Sequence, residues 1–310
     1  MIGANQSRVN RSLTKWVWRL GGCCGLVLLA ACSEGDVQAV ACDVVFDHYV
    51  AVPAAGYQLL SHEVTNAQFA RFVKATGYVT DAERGVLDKR IGAGSALFSQ
   101  AKPQAAGQET PSSSSGSSSG SWSLAPTATW RTPEGVHSSI DGRDDHPVVH
   151  VSYNDAVSYA KWVGGRLPTE AEWQQAAELG LRDQADQESG AFDAAGAPIA
   201  NTWQGVFPVL NETSDGYSVT APVGCYPPSE IGLYDMIGNV WEWTSSPHGA
   251  SQHVIKGGSF LCANNFCRRY RPDARQFQDS DFSTNHIGFR ILKPLEANPE
   301  QPNPRQTKRS

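Results

Sequence analysis

A chain of 310 residues, 40% of them hydrophobic, has the apolar material for one large domain or two small ones. Its formal net charge of -6 argues against the clustered basic face that a nucleic-acid surface requires. The 29 glycines, 9 tryptophans and 9 tyrosines point to many turns and aromatic packing rather than to a simple helical bundle.

Arg8, Arg11, Lys15 and Arg19 precede an apolar run from Leu20 to Ala31, too short to span a bilayer and suited to a secretory signal. Leu29-Ala30-Ala31-Cys32 resembles a bacterial lipoprotein box. Residues 1–31 are therefore expected to be a lipoprotein signal peptide, with Cys32 lipidated and 32–43 a tether. Ser33 is similar to an outer-membrane sorting signal, so the expected location is membrane-anchored and facing the periplasm. Cys23 and Cys24 leave with the signal. Cys42, Cys225, Cys262 and Cys267 remain as thiols, and four cysteines in an oxidising compartment permit three pairings.

The segment from Val44 to Leu60 reads as a short strand and a turn at Pro53 and Gly56. A capping box at Thr65-Asn-Ala-Gln68 opens a helix with Phe69, Phe72 and Val73 on its apolar face and Gly77 as its stop. From about Gly85 to Thr129 the pattern dissolves, with a disordered Ser/Gly-rich insertion expected over about 101–121. His146-Pro-Val-Val-His-Val151 reads as a strand. Ser152 then starts a helix whose apolar side is read as Val157, Tyr159, Ala160, Trp162 and Val163, ending at Gly164-Gly165. A second capping box at Thr169-Glu-Ala-Glu172 starts a helix that faces Trp173, Ala176 and Ala177 inward and stops at Gly180. Beyond it there is no useful helical period, only short β-like runs and long loops. The class is α+β with little regular structure, and 293–310 reads as a disordered tail.

Lys256-Gly-Gly-Ser-Phe-Leu-Cys-Ala-Asn-Asn-Phe-Cys-Arg-Arg-Tyr-Arg271 holds the most unusual chemistry. Cys262 and Cys267 cannot share a face: a strand sends them to opposite sides, and a helix leaves roughly 140° between them. If the sulfurs meet, the chain must turn, and Ala263-Asn264-Asn265 can supply the turn. A disulfide, a metal-held dithiolate and two separate buried thiols all satisfy these residues; two thiolates alone suit Cu(I) better than zinc. A Cys-His hydrolase would need His150 or His286 as base, without any local nucleophile motif. Two oxygen-rich loops invite a calcium reading beside the plainer one of turn residues and solvated carboxylates. One joins Asn201-Thr202 to Asp215-Gly-Tyr217; the other is Asp235-Met-Ile-Gly-Asn-Val-Trp-Glu242.

Six motifs in order resemble the formylglycine-generating enzyme (sulfatase-modifying factor) family. They are His62-Glu-Val-Thr-Asn66, His146 to Ala156, Gly165-Arg-Leu-Pro-Thr-Glu-Ala-Glu-Trp173, Gly232 to Trp243, Gly257-Gly-Ser-Phe260 and Gly288-Phe-Arg290. The resemblance implies a single domain over 44–292, remotely like C-type lectins. It implies O2-dependent oxidation of a cysteine in a Cys-x-Pro-x-Arg-type segment of an unfolded or peptide-like sulfatase to Cα-formylglycine, with an external reductant. It makes Cys262 and Cys267 the Cu(I)-binding catalytic pair, with Ser259 beside substrate and oxygen, and Trp241, Arg269 and Arg275 lining the cleft. Two structural calcium sites carry over: the Asn201 side chain, Thr202 carbonyl, Asp215 and Tyr217 carbonyl; and Asp235, the Gly238 and Val240 carbonyls and Glu242. A monomer is expected. The same domain also occurs in non-catalytic relatives and in iron-dependent sulfoxide synthases, which call for a His-rich facial ligand set, and no His-x-x-x-His pattern suited to one is seen here. Three features depart from the family. Its usual N-terminal hairpin motif is not found between Val44 and Leu60. The insertion replaces a substrate-adjacent loop. Ala160, Pro272 and Ile291 stand where animal relatives carry structural cysteines, so Cys42 and Cys225 gain no family partner.

Overall fold

The computed structural model describes residues 42, 45–86, 94–100, 119–179, 190–266 and 270–295. The leader, Cys32, most of the tether, the centre of the Ser/Gly-rich insertion, Gly180, Cys267, Arg269 and the tail beyond Leu295 lie outside them. The N-terminal half contains β1 (Tyr49–Ala51), β2 (Tyr57–Leu60), α1 (Asn66–Thr76), α2 (Asp81–Arg84), β3 (Gly94–Ser99) and β4 (Ser121–Pro126). Next come α3 (Tyr153–Trp162), α4 (Glu170–Leu179), β5 (Gly205–Val206) and β6 (Leu210–Asn211). The chain then forms β7 (Trp241–His248), β8 (Gln252–Lys256), β9 (Gln276–Asp279), β10 (Ile287–Gly288) and β11 (Leu292–Pro294).

The helices begin where side chains satisfy orphan N–H groups. At α1, Gln68 N–H donates to Thr65 Oγ1 at 3.3 Å and Thr65 N–H donates to Gln68 Oε1 at 2.8 Å. Left-handed Gly77 (φ 68) closes that helix by donating to Val73 O at 2.8 Å. Ser152 with Asp155, and Thr169 with Glu172, repeat the arrangement at α3 and α4. Along α3, Asp155, Ala156, Tyr159 and Ala160 are buried, and Val157 and Val163 pack half-buried against the same core. Trp162 stays 42% exposed, and Val163 is the C-cap.

Four small sheets carry the rest. β1, β2 and β11 form an antiparallel three-stranded sheet, and β10-β7-β8-β9 is mixed, with β10 parallel to β7. β3 pairs with β4, and β5 with β6. The main core gathers Phe69, Phe72, Trp130, Tyr159, Trp243 and Phe289 between the helices and the β7 sheet.

Several expectations change. A hairpin is present at β1–β2 although its sequence departs from the family motif. The stretch expected to dissolve contains a six-pair ladder, Gly94↔Pro126 to Ser99↔Ser121, that flanks the insertion. Phe98 holds this hairpin down by packing with Trp203, Phe260 and Leu261. His146–Val151 is not a ladder strand: it makes one bridge, Thr65↔Pro147, and His150 adopts φ 57, which interrupts any extended run. β11 runs two residues past the boundary expected at Leu292. Cys42, read as the end of the tether, forms a disulfide with Cys225, with Cα atoms 4.4 Å apart.

Candidate active-site loop and acidic interior

The loop leaves β8 at buried Lys256 and turns through Gly257 (φ 91) and Gly258 (φ 74). Both conformations disfavour a side chain, and a Cβ on Gly258 would stand 2.6 Å from Tyr270 Cβ. Backbone bonds fix the next turn of chain. Gly238 N–H donates to Gly257 O at 2.9 Å and Phe260 N–H to Asn239 O at 2.9 Å. Cys262 N–H donates to Ser259 O at 2.9 Å, and Trp203 N–H donates to Cys262 O at 3.0 Å. The Ser259 hydroxyl accepts from Leu261 N–H at 3.3 Å. Ser259 and Cys262 are both buried. The expected turn is present: Ala263 and Phe266 exchange backbone bonds of 2.8 and 3.1 Å across Asn264-Asn265. Asn265 exchanges two 3.2 Å bonds with the Phe207 backbone, and Tyr270 Oη donates to Asn264 Oδ1 at 2.8 Å. Cys267 and Arg269 come next in the chain, outside the described residues.

The other expected site residues are dispersed around this loop. Trp241, expected to line the cleft, is buried in the core cluster that also holds Cys262 and Tyr270. Arg275 is half-exposed and pairs with Glu170 at 3.3 Å. Lys256 Nζ lies 3.9 Å from the same carboxylate, and burial lowers its pKa. A crevice lined by Glu134, Arg143, His146, Thr220 and Asn285 reaches the loop at Phe260. His150 Nε2 donates to Pro133 O at 2.8 Å, and His286 Nδ1 shares a hydrogen bond with the Thr284 hydroxyl. Burial lowers their pKa values to about 4 and about 3, so both are neutral and structurally engaged at physiological pH.

The two oxygen-rich loops meet in the interior, where Asn239 N–H donates to Asn201 O at 2.8 Å. Asn201 Nδ2 donates to Val219 O at 2.9 Å and Asn239 Oδ1 at 3.1 Å, leaving Asn201 Oδ1 buried without a partner. Asp215 accepts from Thr202 N–H at 3.0 Å and Tyr217 N–H at 3.1 Å. Asp235 Oδ2 accepts from Gly224 N–H at 2.7 Å, while Oδ1 is buried and unpartnered; burial raises the Asp235 pKa to about 6. Glu242 is held by Arg290 Nε at 2.6 Å, Arg290 Nη2 at 2.7 Å and Trp173 Nε1 at 2.7 Å. Among the described residues, no three His, Cys, Asp or Glu side chains close into a ready metal-ligand set. The orphaned oxygens of Asn201 and Asp235, one in each expected set, nevertheless fit a hard cation that takes amide, carbonyl and carboxylate oxygens. Glu63 belongs to the same interior although its sequence setting does not single it out: it is fully buried, and neither carboxylate oxygen has a partner. A lone Glu in a motif gives no sequence signal for this role.

Residues 34–295 match the family model of the sulfatase-modifying factor enzyme 1-like domain. The chain is 43% identical over 254 residues to the formylglycine-generating enzyme of Thermomonospora curvata, covering 74% of this chain and 79% of that one. It is 44% identical over 248 residues to the formylglycine-generating enzyme of Streptomyces coelicolor, covering 73% and 74%. A mouse protein named inactive C-alpha-formylglycine-generating enzyme 2 is 36% identical over 233 residues, covering 73% and 71%.

Proposed function

The chain belongs to the sulfatase-modifying factor enzyme 1-like family, and from that premise we propose that it converts a sulfatase cysteine into Cα-formylglycine in a copper- and O2-dependent oxidation. The carrying observation is the loop from Gly257 to Phe266, which buries Ser259 and Cys262 together and reverses the chain just before Cys267. The substrate is a cysteine in an extended Cys-x-Pro-x-Arg-type segment. Its thiol-bearing methylene becomes an aldehyde, with release of hydrogen sulfide. The substrate gives two electrons and an external reductant gives two, so that one O2 and the accompanying protons leave as water.

Cys262 and Cys267 would hold Cu(I), which supplies the electron-transfer chemistry with O2 when bound. The protein's own part is positional. The double-glycine bend and the Asn264-Asn265 turn fix the thiol-bearing backbone, while Trp241 and Tyr270 keep water from its inner side. Ser259 would orient the substrate beside Cys262. Arg269 and Arg275 would border the cleft. Calcium at the Asn201/Thr202/Asp215/Tyr217 and Asp235/Gly238/Val240/Glu242 sets would hold the long loops without entering the chemistry. We place the protein in the periplasm as a lipid-anchored monomer through Cys32, and the Cys42–Cys225 disulfide supports an oxidising compartment.

Copper-loaded protein incubated with a Cys-x-Pro-x-Arg peptide, O2 and reductant should lower the peptide mass by about 18 Da as thiol becomes aldehyde. Cys262→Ser should abolish both copper binding and the mass change. An unchanged peptide with protein verified to hold copper would overturn the oxidase reading. It would favour the second one, a non-catalytic binding module, to which the similarity to a relative named inactive lends weight.

A further inference from the structure

Two neighbouring helices expose cations and no acid, although the chain as a whole has 31 acidic and 25 basic residues. α1 contains Arg71 and Lys74, both exposed, and no carboxylate. On α3 the one carboxylate, Asp155, is buried at the N-cap, while Lys161 stands exposed at the other end. Aromatic rings join the two helices: Phe72 lies 5.6 Å from Tyr159 and 5.6 Å from Trp162. Trp162 therefore rests one edge on this pair and turns the rest of its ring to water between Lys161 and the end of α1. The N-terminal arm lies along the same helix. Asp47 accepts from Gln68 Nε2 at 3.1 Å and from Arg71 Nη2 at 2.8 Å, which leaves the arm's own Val45 and Phe46 exposed beside α1.

An exposed indole flanked by ammonium groups matches the chemistry of a water–lipid boundary, where the ring sits at headgroup level and the cations meet lipid phosphates. The course of the chain points the same way. Cys42 follows Cys32 by ten positions, and ten residues reach at most about 36 Å even when fully extended. A lipid on Cys32 would hold the arm, and the α1 face on which it lies, at high effective concentration near the bilayer, where weak contacts suffice. We propose that the face formed by Val45, Phe46, Lys74, Lys161 and Trp162 lies against an anionic lipid surface. This rests on the lipid-anchor reading of Cys32 and adds an orientation to it. The face shares no residue with the loop from Gly257 to Phe266, nor with the cluster of Phe98, Trp203 and Phe260 beneath that loop, so the candidate chemistry needs nothing from it.

The purified full protein, mixed into vesicles of brominated phosphatidylglycerol, tests this through quenching of tryptophan fluorescence, with mass spectrometry of the same sample reporting the lipid on Cys32. The wild type should be quenched, and Trp162→Phe should lose most of that quenching. Lys74→Glu/Lys161→Glu should lower it severalfold, as should replacing the anionic lipid by brominated phosphatidylcholine. Urea midpoints close to that of the wild type would show that these surface variants fold. A lipidated wild type without quenching would overturn the face and leave the anchor standing. Quenching that survives Trp162→Phe and is lost in Trp122→Phe would also overturn it, because a different side of the molecule would then meet the bilayer. Quenching of a protein that carries no lipid would keep the face and overturn the anchor, and neither lipid nor quenching would overturn both.

Discussion

Glu172 does two jobs with one carboxylate. Its Oε2 accepts from Thr169 N–H at 2.8 Å and Thr169 Oγ1 at 2.9 Å, capping α4, while Arg166 holds both oxygens at 2.7 and 2.6 Å. The Arg166 hydrogen bonds, opposed by burial and aided by the Thr169 cap, lower its pKa from 4.5 to about 2. A lowered acid contributes stability that is present above 4.5 and lost as pH falls towards about 2. Because Arg166 is half-exposed and screened, the contribution is about 1 kcal/mol. Glu172→Gln should therefore unfold at lower urea than the wild type at neutral pH, and the gap should close across that acid window. A gap that persists there would mean that the charge is not what stabilises α4. The Thr-x-x-Glu spacing makes this cap legible in the sequence, since both partners lie three residues apart. Glu63 is not legible, because its neighbours Asp235, Glu242 and Arg290 come together only when distant segments pack. Glu242 can be read as an oxygen donor, but its engagement with Arg290 and Trp173 is a tertiary fact.

The loop from Gly257 to Phe266 depends on a bend that few residues can make. At Gly258 the backbone is left-handed (φ 74), and an added Cβ would meet Tyr270 Cβ at 2.6 Å and Cα at 2.8 Å. Gly249, in the β7–β8 turn, is also left-handed (φ 63) but has no atom within 4 Å of the added Cβ position. Gly249→Ala should cost about 1 kcal/mol from backbone strain alone. Gly258→Ala should cost about 3 kcal/mol or more because crowding adds to the strain. Denaturation midpoints compare the two, and equal losses would show that Tyr270 yields without cost. The same contrast of local and distant causes explains what the sequence reveals about the elements. α1, α3 and α4 carry caps and an apolar period within one short window, and the Asn264-Asn265 turn has its own local chemistry. α2 has its Thr80–Glu83 cap in plain view but is four residues long, too short for a period. The β3–β4 ladder escapes a sequence reading because its strands flank a polar insertion and β4 is almost wholly exposed, so no alternating pattern marks it. That hairpin is fixed from outside, where Asn285 exchanges bonds of 3.1 and 3.0 Å with the Phe98 backbone.

Across the whole molecule, one covalent link ties the N-terminal arm to the interior loops. Four cysteines leave three pairings open, and no local spacing can choose among partners 183 residues apart; the fold chooses Cys42–Cys225. Its position couples it to both oxygen-rich loops. Gly224 N–H holds Asp235 Oδ2 at 2.7 Å, and Tyr226 Oη donates to Asp215 O at 2.9 Å, so the residues on either side of Cys225 each brace one loop. Val223 N–H adds an anchor to Asp145 O at 2.9 Å. A link closing so long a loop restricts the unfolded chain strongly, and removing it should cost about 2–5 kcal/mol. The Cys42→Ala/Cys225→Ala variant should therefore unfold at lower denaturant. If the segment braces the loops as its bonds indicate, calcium affinity should fall as well, measured under conditions where the variant is still folded. Loss of stability with unchanged calcium affinity would make the disulfide a staple of the chain alone. Loss of both would make oxidation of this pair a requirement for setting the loops around the candidate active site.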